Sequence, residues 1–340
     1  MRWRGSPVSD PRLYLPLVGI LVLAMLPVIV TNAYYLNVLN LILLFACTGM
    51  AWNILGGYAR QVSLGHSIFF GLGAYTSTLL QVHWRISPWI GMILGGLVAV
   101  GVGYLVGKSV FRLRGHYFAV ATIAMSQITR LLFIKFYRVT GGAEGLSVPM
   151  NNSLAMLQFS SKVPYYYIFL VTMLGMILLV RRMEKSRLGY YMVAMGQDEQ
   201  AARAIGIDIP QVKQVALAIS AFLTAILGTF FAQYMYYIEP NDLFSLPTSI
   251  EFALVSIVGG LGTVLGPVLG AFIMKPTIEL TNEYLADTLP GLNYAIYGLI
   301  LVIIIVLRPN GVIGFFSHIY ETALTRLPGY RRSLEGGSRV

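Results

Sequence analysis

The sequence predicts an all-α polytopic membrane protein with about eight spanning helices. A broken or re-entrant helix pair is expected near 248–274, and both termini are expected to be cytoplasmic. Three observations carry this. The first is composition: of 340 residues, 56% are hydrophobic and only 11% charged, with a mean hydropathy of +0.71. A soluble domain carries about 25% charged residues. The second is the set of apolar runs near the ~20 residues that a span needs. They fall at 13–30, 36–55, 66–82, 88–107, 116–134, 164–180, 214–237 and 293–308. Eight such runs exclude a large soluble protein with buried helices. The third is where the basic residues stand. With the N-terminus inside and the spans alternating, 18 of the 24 Lys and Arg fall on inner segments and five on outer ones, with Arg130 inside a span.

That asymmetry is the positive-inside pattern. It accounts for the formal net charge of +10 through topology and anionic inner-leaflet lipid. No nucleic-acid partner is needed. The same alternation constrains the broken segment. The run 214–237 should end outside and 293–308 should end inside at Arg308, so 248–274 crosses an even number of times. It is interrupted by Gly259-Gly260-Leu261-Gly262 and by Pro267. Either a re-entrant pair or two short crossings satisfies the count.

The chain divides into a cytoplasmic N-terminal segment 1–12, a membrane domain 13–308 and a cytoplasmic tail 309–340. The first run lacks a small-residue cleavage site near Thr31-Asn32, so it is expected to be retained. Small residues recur every four positions at Gly91, Gly95, Ala99, Gly103 and Gly107, and again at Gly262, Gly266 and Gly270. Such stripes let helix backbones approach closely, either as static packing or as a surface that slides. A short glycine-driven echo links 63–75 with 264–272, and repeated broken segments can mark a transport pathway.

Catalytic chemistry has no foothold. The four histidines lie in separate segments, Cys47 is the only cysteine, and no Gly-x-Ser-x-Gly or His-Glu-x-x-His pattern occurs. Residues 101–109 imitate a phosphate loop, but Val102 stands where that loop requires glycine, and the run ends an apolar helix. No metal or cofactor is expected on this chain, and it is not expected to be an enzyme.

Two polar stretches stand out instead. The inner loop 181–213 holds Asp198-Glu199-Gln200-Ala201-Ala202-Arg203-Ala204-Ile205-Gly206. Helix formers run from about 190 to 204, and Gly206 stands where a C-terminal cap would. This is either a solvated connector or a docking helix, its alanines covered by a partner's cleft and its charges setting register. Asp198, Glu199, Ala201, Ala202, Arg203 and Gly206 are the candidate docking residues. The second stretch, 56–75, brings Gln61, Ser63 and His66 into an apolar helix beside five glycines. Buried polar groups in a bilayer are costly unless paired or hydrated, so these line a passage or bond helices together. Asn53 and Gln127 are further candidates for the path. Arg130, three residues from Gln127 on one helix face, is expected to reach the outer interface near Lys135. No acidic residue lies within the first six spans, so a proton-coupled carrier lacks its usual relay.

Several of these motifs are ordered as in a known family. Gly57-Tyr58 with Gln61-Val62-Ser63-Leu64-Gly65-His66, then Phe69-Phe70-Gly71-Leu72-Gly73-Ala74-Tyr75, resembles the signature of branched-chain amino-acid ABC transporter permeases. The likeness is nearest the LivM-type subunits of this hydrophobic amino-acid uptake family. Residues 112–118, Thr140-Gly141-Gly142 with Glu144-Gly145-Leu146, Glu199 with Ala201-Ala202 and Gly206, and Gly259-Gly260-Leu261-Gly262-Thr263 with Gly266-Pro267 fit the same family, over about 36–311. Arg60 and Gln127 depart from it, at positions that commonly hold a small residue and a glutamate.

The resemblance implies a multi-pass subunit of a bacterial inner-membrane importer. It would pair with a second homologous permease, two cytoplasmic ABC ATPases that use ATP and Mg, and an external solute-binding protein. The helix near 190–206 would be the coupling helix. The solute would be a branched-chain or related amino acid; the alternatives are urea or short amides within the same family, or a stand-alone secondary carrier.

Overall fold

The computed structural model describes residues 11–285 except 31, 114 and 151, together with 298, 299, 302, 306 and 311–314. The expected span 293–308 and most of the two terminal segments lie outside the described residues. The rest of the predicted order is recovered as helices α1 (Pro11–Ile29), α2 (Ala33–Asn53), α3 (Ser67–Trp84), α4 (Pro88–Val110) and α5 (His116–Lys135). A short α6 (Tyr137–Thr140) and strand β1 (Leu146–Ser147) follow, then α7 (Val163–Glu184), α8 (Arg187–Gln197), α9 (Glu199–Ala204) and α10 (Ile209–Met235). Strand β2 (Tyr237–Ile238), α11 (Pro240–Leu243), α12 (Leu246–Gly259) and α13 (Gly266–Leu285) complete the order. Among the described residues, five helical segments are both long and apolar enough to cross a bilayer: Ala33–Tyr58, Pro88–Val110, His116–Lys135, Val163–Glu184 and Ile209–Met235.

Helices α2 and α10 form the axis of the fold. From Asn40 to Asn53 every residue of α2 is buried. The two run antiparallel: Tyr234 Oη donates to Asn37 Oδ1 at one end, and Ser220 Oγ donates to the Ala51 carbonyl further along. Helix α3 runs alongside α10, from His66 beside Ser220 to Gln81 beside Gln233. β1 pairs antiparallel with β2, which fixes the loop 135–163 at the end of α10 remote from α8 and α9.

The small-residue stripe on α4 packs against α3 and α10. Added side-chain carbons at Gly91 and Gly95 would meet the backbone at Ser77 and Gly73, and one at Gly103 would meet Phe69 and Ala221. The approach is closer still between α3 and α10, where a Cβ on Gly73 would stand 1.9 Å from the Ala225 carbonyl oxygen. The second expected stripe is divided. Gly270 faces α12, Gly266 faces the turn that precedes α13, and Gly262 stands within that turn with φ +67°.

The broken segment is two helices joined by a turn at 260–265. At 1.5 Å per residue the 14-residue α12 is about 21 Å long, short of a ~30 Å hydrocarbon layer. Helix α13 returns beside it, with a Cβ on Gly270 meeting the Val255 carbonyl. Lys275, grouped with the outer segments from sequence, lies within α13 and is 6% exposed.

Valine at Gly73 cannot be accommodated without separating α3 from α10, and overpacking of this kind costs about 1–3 kcal/mol or more. Gly73→Val is expected to lower the melting temperature of the detergent-purified protein, whereas Gly101→Ala, whose Cβ meets nothing within 4 Å, is expected to leave it unchanged.

Candidate functional site

Two structural features bring the sequence candidates together. The first is the inner loop. It forms two helices rather than the single expected one, because the chain breaks at Asp198. This residue takes an extended conformation, and its carboxylate accepts from the N–H groups of Gln200 at 2.7 Å and Ala201 at 3.1 Å. An aspartate in that role starts a new helix, so α8 ends and α9 begins. Gly206, with φ +88°, closes α9 as expected.

Within α9 the candidates divide by face. Ala202 points inward and is 3% exposed. Gln200, Ala201, Arg203, Ala204 and Gly206 are exposed, and so is Ile205, at 76%. An apolar side chain this exposed beside small residues is a surface with little reason to face water. Sequence reasoning passed over Ile205, although its place just before the capping glycine was a usable signal.

Glu199 turns back toward the helix axis. Its carboxylate forms an ion pair with Lys213, which is 4% exposed near the start of α10, and accepts from Gln61 Nε2 at 3.4 Å. Gly196 on α8 packs against the Tyr58 carbonyl and Arg60. The exposed helix is therefore tied at once to the base of α10 and to the end of α2. The partnership with Lys213 joins two helices separated by a turn, so spacing along one helix could not reveal it.

The second feature is the junction after α2. Helix α2 continues as a π-helical turn, Ile54–Tyr58, and 59–66 are then irregular. Gln61, Ser63 and His66 thus lie in a turn, not inside a helix as expected. Arg60, at φ +49°, reverses the chain. Non-helical backbone at membrane depth is tolerated only where protein satisfies it, and here protein does. Trp52 Nε1 donates to the Ser63 carbonyl at 2.7 Å, and the Leu64 N–H donates to Thr122 Oγ1 at 3.0 Å. His66 Nε2 lies 2.8 Å from Ser220 Oγ. The Ser220 hydroxyl proton is committed to the Ala51 carbonyl at 2.6 Å, so His66 is the donor, through the tautomer protonated at Nε2.

Asn53 closes the arrangement. Its Oδ1 accepts from the Gly262 N–H at 3.0 Å, and its Nδ2 donates to the Thr263 carbonyl at 2.9 Å. The turn between α12 and α13 thereby sits against the end of α2, where a Cβ on Gly57 would meet the Gly262 nitrogen. The two segments of the glycine echo are both turn-to-helix junctions, opening α3 and α13. Gln127 does not join them. It is half-buried on α5, next to Ser126, which bonds Ser67 Oγ and the Phe244 carbonyl. Arg130 donates to Asn241 Oδ1 at 3.1 Å. Among the described residues no group of His, Cys, Asp or Glu is placed to hold a metal ion.

Two outcomes are expected. Glu199→Gln strands a buried ammonium. The Glu199 side chain is 30% exposed, which screens the pair, so a cost of about 2 kcal/mol is expected in detergent unfolding. Asn53→Leu leaves the Gly262 N–H and Thr263 carbonyl without their partner, at about 1–3 kcal/mol each. Amide exchange over 260–263 is expected to accelerate while α4 stays protected.

Comparison with known proteins identifies the family. A family model described as branched-chain amino acid transport system / permease component matches residues 34–305. The chain is 27% identical to the high-affinity branched-chain amino acid transport system permease protein LivM of Escherichia coli, over 90% of this chain and 79% of that one. It is 22% identical to the LivH permease protein of the same organism, over 79% and 91% respectively. It is also 27% identical to the autoinducer 2 import system permease protein LsrC of Yersinia enterocolitica, over 73% and 69%. No solved structure shows significant similarity. With the family model covering most of its length and the helical membrane architecture in place, the chain belongs to the permease-component family of branched-chain amino acid transport systems.

Proposed function

We propose that this chain is one of two homologous permease subunits of an ATP-driven importer in the bacterial plasma membrane, and that α8 and α9 form the seat for its ATPases. Two cytoplasmic ABC ATPases bind and hydrolyse ATP with Mg, and an external binding protein delivers a branched-chain amino acid. This chain contributes the path and the coupling surface, and no catalytic group. Likeness to both LivM and LivH permease proteins supports a two-permease assembly. Family membership favours the importer over a stand-alone carrier.

The observation that carries the coupling role is the double attachment of α9. Its outer face presents Gln200, Ala201, Arg203, Ala204 and Ile205 to a partner, and Glu199 on its inner side holds both Lys213 and Gln61. A displacement of α9 acts on the base of α10 and on the junction after α2 together. Rocking between packed arrangements is the kind of transition this permits, with Asn53 linking the motion to the turn between α12 and α13.

The seat can be tested on its exposed face. In the reconstituted four-subunit complex, Ala201→Arg and Ile205→Glu are expected to cut ATPase co-purification at least tenfold and to abolish ATP-dependent leucine uptake. Membrane insertion and melting temperature should stay unchanged. Undiminished co-purification in both variants would remove α9 from the interface. Ala202→Arg is expected to lower stability instead, because its side chain is buried.

A further inference from the structure

A partly open cavity lies among α2, α3, α10, α11, α12 and α13. Phe231 and Met235 in its lining place it at the end of α10 remote from α8 and α9. One wall is apolar, built from Leu41, Phe45, Phe70 and Phe231. The other carries Asp242, Glu251, Lys275 and Glu279. Lys275 Nζ is 2.7 Å from Glu251 Oε1 and 3.6 Å from Glu279 Oε1, and it stands 3.6 Å from the centre of the Phe45 ring. Glu251 and Glu279 are half-buried, and Asp242 is exposed at the rim.

The charges do not balance. Two half-buried carboxylates, Glu251 and Glu279, share one ammonium, so the ionised cluster holds one more negative charge than positive, and Asp242 adds another at the exposed rim. Charge held away from water is costly unless compensated, and a cationic group entering the cavity supplies compensation. An inorganic cation would leave the aromatic wall without a role. A neutral amide or urea would leave the charge uncompensated. An α-amino acid with an apolar side chain uses both walls. Its ammonium meets Glu279, Glu251 and Asp242, and its side chain lies against Phe45, Phe70 and Phe231. Its carboxylate takes the remaining donor of Lys275, whose ammonium has three N–H groups and two carboxylate partners.

We propose that this cavity is a binding site for a zwitterionic amino acid with an apolar side chain, on the side where the external protein would release it. The proposal rests on the importer reading and gives its amino-acid solute a site within this chain. None of the path candidates named from sequence, Asn53, Gln61, Ser63, His66 or Gln127, lines this cavity.

The test is equilibrium binding of radiolabelled leucine to the complete complex in nanodiscs, without the external protein. 4-Methylpentanoate, isoamylamine, urea and sodium chloride serve as competitors. Saturable leucine binding is expected, with both single-charge analogues at least about tenfold weaker than leucine and with urea and sodium without effect. Glu279→Gln is expected to weaken leucine about tenfold, and Thr248→Trp, which fills the cavity from its lining, to abolish binding. Co-purification of all subunits checks that each variant assembles; if Thr248→Trp does not, Glu279→Gln decides alone. Leucine binding unchanged in Glu279→Gln, or displacement by sodium or urea, would overturn the site. So would absent binding in a wild-type complex that still takes up leucine with ATP and its external protein. Failure of ATP-dependent uptake itself would count against the importer reading, and the binding measurement would still judge the cavity.

Discussion

A helix broken at membrane depth exposes N–H and C=O groups that lipid cannot satisfy, and two such breaks meet among the described residues. One follows α2 at residues 54–66; the other joins α12 to α13. The protein sets them against each other. Asn53 donates to one carbonyl and accepts from one N–H of the second break, while Trp52, Thr122 and Ser220 serve the first. Glycines at 57 and 262 let the two backbones touch. The near-complete burial of α2 follows, since the helix that supplies these partners must be surrounded by the elements it serves.

Around that junction the long helices are held by close backbone approach rather than by bulky side chains. Gly73 and Gly228 put α3 directly onto α10, and the α4 stripe lies over both. Packing of this kind has few intermediate arrangements, because a small separation of the helices forfeits many contacts at once. The polar attachments sit at the ends of this block. Glu199 fastens α9 to α10 and Gln61 at one end. At the other, a chain from Gln158 through Gln233 to Gln81 joins the loop 135–163 to α10 and α3. A rigid centre with polar fastenings at both ends suits a subunit that must pass a displacement from one side to the other.

Much of this was legible beforehand. Apolar run length located α1 to α5, α7 and α10 to within a few residues, because a span must bury its own backbone whatever its neighbours do. Gly206 was legible as a helix stop, since only the left-handed conformation was needed to foresee it. The interruption at 259–267 was visible as glycine and proline, and became a turn flanked by helices. Asp198 was read as part of a helix. Its alternative role as the first cap of a new helix is equally local, and the structure shows that capping prevailed.

What the sequence determined by itself was class, family and the interruption at 259–267, all of which depend on composition, order and local conformational preference. Only the tertiary structure decided which side chains meet. Glu199 with Lys213, Asn53 with the turn at 262–263, and Lys275 with Glu251 join residues on different elements, whose relative placement depends on packing of the whole helix set. It also decided facing. Ala201 and Ala202 are indistinguishable as residues, yet one is exposed and the other buried, because α9 offers only one side to the body of the protein.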